Sequence, residues 1–344
     1  MRVSLNAFAT AIFALSAAST SFSQQPNVVH GQVTAEATSR GLSTVIDDLK
    51  QQKDVVWIGY SIPVVNKFYS GWNSSRTAYL EGNGDAVVND SEESNQSSDR
   101  AVVLLRVADG GAMKLLVEDP KRQLDAGGLR LVWLNGVEPD DSVRVLTGLA
   151  RQADVRHLRD SAVFAISVHQ TNTATAALVG LADPGNELEL RERAAFWLAN
   201  QRGRDGLAAI QRFAREDGDA KFREKLAFDL TLSKDPTALN ELIRMAHEDV
   251  SPQVRKQAQF WMANKGGKKV TDDLRTIATN DPNEQMRKSA VFALSRLPSD
   301  EAATQLIAVA DSSNDSAVRK QAIFWLGQSN APRALDYLTK LLKQ

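Results

Sequence analysis

One interval dominates this chain. Phe164, Phe196, Phe228, Phe260, Phe292 and Phe324 stand 32 residues apart, with no insertion or deletion between them. The stretch VRKQAQFWMAN (Val254 to Asn264) returns as VRKQAIFWLGQ (Val318 to Gln328), two intervals later. Five residues before each Phe lies an arginine: Arg159, Arg191, Arg223, Arg255, Arg287 and Arg319. Two residues after it comes Ile166, Leu198, Leu230, Met262, Leu294 or Leu326. A second apolar set, beginning at Leu146, Leu178, Ile210, Leu242, Leu274 and Leu306, precedes it at fixed offset. Both sets have helical spacing, and Asp, Asn, Pro or Gly separates them. Each unit therefore predicts a hairpin of two short helices. A single hairpin cannot bury its apolar face, whereas stacked hairpins make one continuous core.

The second-helix pattern V-R-x-x-A-x-x-A-L, as in Val318, Arg319, Ala322 and Trp325-Leu326, resembles the HEAT repeat. The likeness is to the short bacterial form also seen in phycobilisome-lyase-like repeats. It implies a mainly α chain, an α-solenoid of HEAT-like hairpins with a small N-terminal α/β segment. The array would span residues 138–344 as six units plus a half-unit, PRALDYLTKLLKQ, in which Leu338 and Leu341 keep register and Leu342 replaces the usual alanine. The family also places an Asp six residues before the Arg. Asp217, Asp249 and Asp281 match, while Ala153, Gly185 and Ser313 do not, which puts an unbroken Asp–Arg ladder in doubt.

Ahead of the array, MRVSLNAFATAIFALSAASTSFS reads as a signal peptide. Arg2 supplies its positive end, Ala7 to Ala18 are too short an apolar run to span a bilayer comfortably, and Ser21 and Ser23 precede a cleavage point before Gln24; an uncleaved anchor or a buried helix is the alternative. No later segment is apolar enough for a stable span. Periplasmic or secreted localisation is the expectation. Residues 24–43 read as a polar, flexible lead, and 44–137 as a small α/β domain or a cap for the array. Within it STVIDDLKQQ predicts a helix. DVVWIGYSIPVV, RTAYLEG, AVVLLRV and AMKLLVED predict strands, with ADGG as a hairpin turn between the last two. Asn89 to Arg100 is polar and acidic enough for a mobile loop. LRLVWLNG places Trp133 and Leu134 one interval before Ala165 and Ile166, so a degenerate zeroth unit and coincidence both remain open.

Chemistry is hard to place on this sequence. The chain has no Cys, which removes disulfides, thiolate metal sites and thiol catalysis. Its formal charge of −1 shows none of the basic excess that nucleic acid binding needs. The four histidines, His30, His157, His169 and His247, show no paired ligand spacing and read as surface or helix-end residues. Deoxyhypusine hydroxylases, which are HEAT-type enzymes, use repeated His-Glu pairs for a di-iron site. Here His247-Glu248 occurs once, and other units hold Arg151, Asp183, Arg215, Thr279 and Asp311 at that register. No phosphate loop, nucleophile elbow or dinucleotide fingerprint is present. The reading is non-catalytic and free of cofactor and metal: a protein-binding scaffold or adaptor. The alternative is an enzyme or ligand-binding regulator with its site where residues 45–135 meet the first repeats.

At 100° per residue the columns through Leu158, Ala162 and Ile166 span about 80° and form the buried face of the second helix. The column Ala165, Trp197, Asp229, Trp261, Ala293, Trp325 lies about 20° outside it, so each Trp should wedge between units. The Phe column lies about 120° from that arc. It could pack sideways on the next unit or form an apolar ladder open to a partner. The candidate partner-binding set is Phe196, Phe228, Phe260 and Phe292 with Arg191, Arg223, Arg255 and Arg287, since interfaces enrich aromatic residues and Arg.

Overall fold

The computed structural model describes residues 25–52, 54–68, 77–82, 97–152 and 156–343. The stretch expected to be a signal peptide and most of the GNGD and Asn89–Arg100 stretches lie outside the described residues. The fold is an α-solenoid preceded by a sheet segment. Among the described residues, no helix is long and apolar enough to cross a membrane.

The first helices of the six hairpins are α2 (Pro139–Gln152), α4 (Asn172–Ala182), α6 (Gly203–Glu216), α8 (Thr237–Glu248), α10 (Thr271–Asn280) and α12 (Ser299–Ser312). The second helices are α3 (Arg156–Val168), α5 (Leu188–Gln201), α7 (Ala220–Leu232), α9 (Pro252–Gly266), α11 (Glu284–Ser295) and α13 (Ser316–Gly327), and α14 (Pro332–Leu341) closes the array. The 158, 162 and 166 columns are buried in all six units, from Leu158, Ala162 and Ile166 to Val318, Ala322 and Leu326. In α14 the in-register Leu338 is only half-buried and Leu341 is 38% exposed, so coverage declines there.

Local chemistry starts the last four second helices at the same place in their units. Asp219, Ser251, Asn283 and Asp315 form another 32-residue column, and each side chain accepts from amides of the first turn of its helix. A side-chain oxygen at this position satisfies donors that have no partner inside the helix. Tight packing also dictates one glycine. A Cβ at Gly206 would lie 2.0 Å from the Leu198 carbonyl oxygen, so α6 can approach α5 only without a side chain there.

The N-terminal segment contains β1 (Val28–Val29), β2 (Gln32–Ala37), α1 (Leu42–Gln51), β3 (Val56–Phe68), β4 (Thr77–Tyr79), β5 (Ser98–Ala108), β6 (Gly111–Glu118), β7 (Gln123–Asp125) and β8 (Arg130–Asn135). A five-stranded sheet has the order β2-β8-β3-β5-β6, and a three-stranded one the order β1-β7-β4. One expectation is corrected and one open alternative is decided. The supposed flexible lead supplies two strands, with β2 pairing in parallel along β8 from Gln32–Arg130 to Ala37–Asn135. LRLVWLNG is strand β8 and not a zeroth hairpin, so its 32-residue offset is coincidental. The hairpin between β5 and β6 turns on Asp109 (φ 50°) and Gly110 (φ 76°), the two positive φ values a primed two-residue turn requires. β3 runs through Pro63, and its register with β5 shifts only between Pro63 and Phe68.

The five-stranded sheet has two apolar faces. Trp57, Val102, Leu104, Leu131 and Trp133 pack with Ala78, Leu80 and Leu124 in a core of the segment's own. Ile58, Tyr60, Ile62, Val103, Leu105 and Val132 face the other way and join α1 and the first repeats in one core that continues to Ala334. The sheet therefore covers the first end of the array.

Candidate interaction surface

The second helices stack on one another from α3 to α13, which sets their equivalent side chains in parallel rows. Phe164, Phe196, Phe228, Phe260 and Phe292 are all half-buried, and Phe324 is 56% exposed. The rings are therefore neither wholly buried between units nor wholly free: they pack on neighbours and keep part of their surface exposed. Trp197 lies 4.8 Å from Phe164 and 4.9 Å from Phe196, between centroids. Trp261 bridges Phe228 and Phe260 at 4.9 Å each, and Trp325 bridges Phe292 at 5.2 Å and Phe324 at 5.1 Å. Phe260 and Phe292 stack directly at 6.2 Å. Every Trp of the adjoining column is thus a wedge between two Phe rings, in tilted and edge-on geometries that aromatic quadrupoles favour.

The row is interrupted once. In α7 the wedge position holds Asp229, and Lys225 takes over the bridging, with its ammonium 4.3 Å from the Phe228 centroid and 6.0 Å from that of Phe196. Lys225 also pairs with Asp229 at 3.1 Å. The Asp229 carboxylate is fully enclosed, and its second oxygen has no hydrogen-bond partner. Burial drives its pKa up to about 7, against the pull of Lys225. Beside this interruption lies a cleft of ≈ 440 Å³ lined by Glu192, Lys221, Glu224, Lys225, Phe228, Gln257 and Trp261.

The arginine row is not beside the aromatic one on the surface, which corrects that half of the candidate set. Arg191 and Arg223 are buried, and Arg255 and Arg287 keep only 16% and 19% of their side chains exposed. Each reaches into the next unit's turn. Arg191 pairs with Asp217, Arg223 with Asp249 at 2.9 Å, Arg255 with Asp281 at 3.2 Å, and Arg287 with Asp315 at 2.6 Å. Arg223 and Arg287 also donate to the carbonyl six residues back in their own turn, at 2.6 and 2.7 Å. Asp217, Asp249 and Asp281 in turn accept from the amide of the capping residue two places on, at 2.8–2.9 Å. One carboxylate thereby shapes its turn and holds the preceding unit. Burial alone would raise Asp249, but the Arg223 hydrogen bond and the Ser251 amide outweigh it and hold its pKa below the usual range.

At two of the three places where the family's Asp is missing, an acid two positions later substitutes. Asp315 serves in place of Ser313, and Glu187 accepts from Arg159 at 2.7 Å in place of Gly185. The ladder is more continuous than the motif alone indicates, because either position brings a carboxylate within reach of the same guanidinium.

The junction with the sheet segment holds a polar chain that sequence reasoning missed. His169 stands at the end of α3, one of the two expected placements, but it is buried and not on the surface. Its Nδ1 lies 2.6 Å from the Ala165 carbonyl and must donate, so Nε2 accepts from the Ser142 hydroxyl at 2.9 Å. Ser142 Oγ then accepts from Tyr60 at 2.8 Å. Burial, with the Arg202 charge adding to it, lowers the His169 pKa to about 4. Burial raises the Tyr60 phenol well above its ordinary value. A neutral His with both nitrogens engaged stitches sheet to array and has no open side for a substrate. Elsewhere His30 meets Asp125 at 2.8 Å, His157 is exposed, and His247 lies 3.5 Å from Asp273. Another cleft, ≈ 470 Å³, contains Lys234, Asp235, Leu239 and Lys265. Its Lys265 already donates to the carbonyls of Thr231 and Ser233 at the end of α7.

Residues 269–344 match the family model described as HEAT repeats. No curated protein matches the chain. Similar solved structures include human deoxyhypusine hydroxylase, at 17% identity over 60% of this chain and 80% of that one, with a TM-score of 0.33. The CpcE–CpcF complex of phycocyanin lyase from Nostoc sp. PCC7120 is 22% identical over 45% of this chain and 99% of that one, with a TM-score of 0.34. Kap121p is 13% identical, with a TM-score of 0.39 over 59% of this chain and 27% of its own. Residues 269–344 are HEAT repeats, and the 32-residue unit written there runs back without a break to the first hairpin.

Proposed function

We propose that this chain is an exported protein-binding scaffold that engages its partner along the second-helix face. One observation carries the reading. The phenylalanine column crosses all six units with its rings partly exposed, whereas arginines five residues earlier are engaged by carboxylates of the next unit's turn. Packing between units would be served by smaller or better-covered side chains. A repeated, partly exposed aromatic row offers a partner contact area at low entropic cost. The non-catalytic reading is supported by the closed Tyr60–Ser142–His169 chain at the junction, where the alternative would have placed a site. Export rests on the N-terminal sequence alone, and mass spectrometry of the mature protein should find a start near Gln24 and no intact Met1.

The face is tested by site-specific photo-crosslinking in the native cellular fraction. A probe at Gln257, in the cleft beside the row, should capture a partner that a probe at Arg212, on a first helix, does not. Capture should disappear in the Phe228→Ser/Phe260→Ser double variant while its thermal transition is retained. Equal capture from both probes, or capture that survives the double variant, removes the row from function and leaves it a packing device.

A further inference from the structure

One turn ahead of the phenylalanines runs a row whose sign changes once: Asp160, Glu192, Glu224, then Lys256, Lys288, Lys320. All six are at least partly exposed. Asp160 pairs with Arg193 at 3.2 Å and Lys288 with Glu284 at 2.5 Å. Among the described residues Glu192, Glu224, Lys256 and Lys320 take part in no ion pair. Beside the acidic half Arg193 is engaged with Asp160 and Lys225 with Asp229, while Lys221, exposed in the same cleft, takes part in no ion pair among the described residues. In the basic half the next row along holds Gln257, Ser289 and Gln321, which neutralise nothing. The change of sign falls at the cleft between Glu224 and Trp261.

Spacing says what shape fits. Packed helices lie about 8–10 Å apart, so the six rows cover roughly 45 Å. On an α-helix, residues seven apart recur on one face after about 10.5 Å, which nearly matches that interval. In an extended chain, residues three apart span about 10 Å but point to opposite faces. We infer, building on the scaffold reading above, that the row binds one amphipathic helix of a partner protein, its acidic end over Lys256–Lys320 and its basic end over Asp160–Glu224. Helices favour acidic residues at their amino ends and basic ones at their carboxyl ends, so the helix runs from α13 towards α3. A nucleic acid, negative throughout, is repelled by half of the row.

The test uses two synthetic helical peptides of about 30 residues, each with Leu at every seventh position. One has Glu in its first half and Lys in its second; the other has the same composition with the charges intermixed. The segregated peptide should bind about ten-fold more tightly by fluorescence anisotropy, as the sum of several exposed ion pairs. A photoreactive group at its Glu end should crosslink to α11 or α13. The Lys256→Glu/Lys288→Glu/Lys320→Glu variant, whose changes are on the surface, should erase the preference. If both peptides bind equally and both are lost in Phe228→Ser/Phe260→Ser, the aromatic surface stands and the charge reading falls. If neither binds, or binding ignores the Phe variants, the surface itself is overturned. Concentration-dependent dimers in sedimentation, abolished by the triple Lys variant, would make a second copy the occupant instead. Tighter binding of single-stranded RNA than of the segregated peptide would also overturn the proposal.

Discussion

Two buried residues titrate in opposite senses over the same pH window. The folded pKa of Asp229, about 7, lies above its unfolded value. The stability it permits is therefore complete below about pH 4 and is lost as pH rises towards 7. The folded pKa of His169, about 4, lies below its unfolded value. Its contribution is complete above about pH 6.5 and is lost as pH falls towards 4. The two slopes oppose each other, so single variants should expose what the parent conceals. Asp229→Asn should be more stable than the parent at pH 8, by about 1–3 kcal/mol, and should lose stability on acidification. His169→Gln should show the reverse slope. Denaturant unfolding at pH 5 and pH 8 measures both, and an unchanged Asp229→Asn at pH 8 would mean that Lys225 fully compensates the buried charge.

At the level of the element, the second helices are held by an apolar column and an ionic one, and the two should respond differently. Leu294 is wholly buried, and Leu294→Ala should cost about 2–5 kcal/mol from lost transfer energy and the cavity left behind. Arg223→Ala leaves Asp249 enclosed and unpaired, which should cost about 3 kcal/mol near neutral pH. Because pairing lowers the Asp249 pKa, that cost should shrink as pH falls through the folded value, where the carboxylate is protonated in either state. The cost of Leu294→Ala should not change with pH in this way. The apolar columns were legible from the 32-residue period because burial and helical phase are both written in sequence spacing. The carboxylates of Glu187 and Asp315 were not, since a motif records one position while a flexible turn lets two reach the same guanidinium.

Across the whole molecule, sheet and array share one core through Tyr60, Ser142 and His169 and the apolar residues around them. Far-UV circular dichroism reports mainly the helices, and near-UV signals include the enclosed Trp57 and Trp133 of the sheet. The two transitions should coincide on heating, as expected of units joined by a continuous core. A separate, earlier loss of the near-UV signal would show that the sheet segment melts on its own.

What the sequence determined by itself was whatever repeats: hairpin number, the phase of each helix, the buried columns and the position of the Phe and Trp rows. Periodic burial leaves its mark at a fixed spacing, so one chain suffices to read it. Of the eight strands in the non-repeating N-terminal segment the sequence marked β3, β4, β5 and β6 and the β5–β6 hairpin, but not β1, β2, β7 or β8, because pairs such as β2 and β8 meet across nearly a hundred residues of chain. Tertiary structure alone decided that Arg191 and Arg223 turn inwards while the phenylalanines stay half exposed. Both columns recur with the same period. Only the next unit's turn, with an acid waiting at the right depth, separates an arginine that holds the stack together from a side chain that can meet a partner.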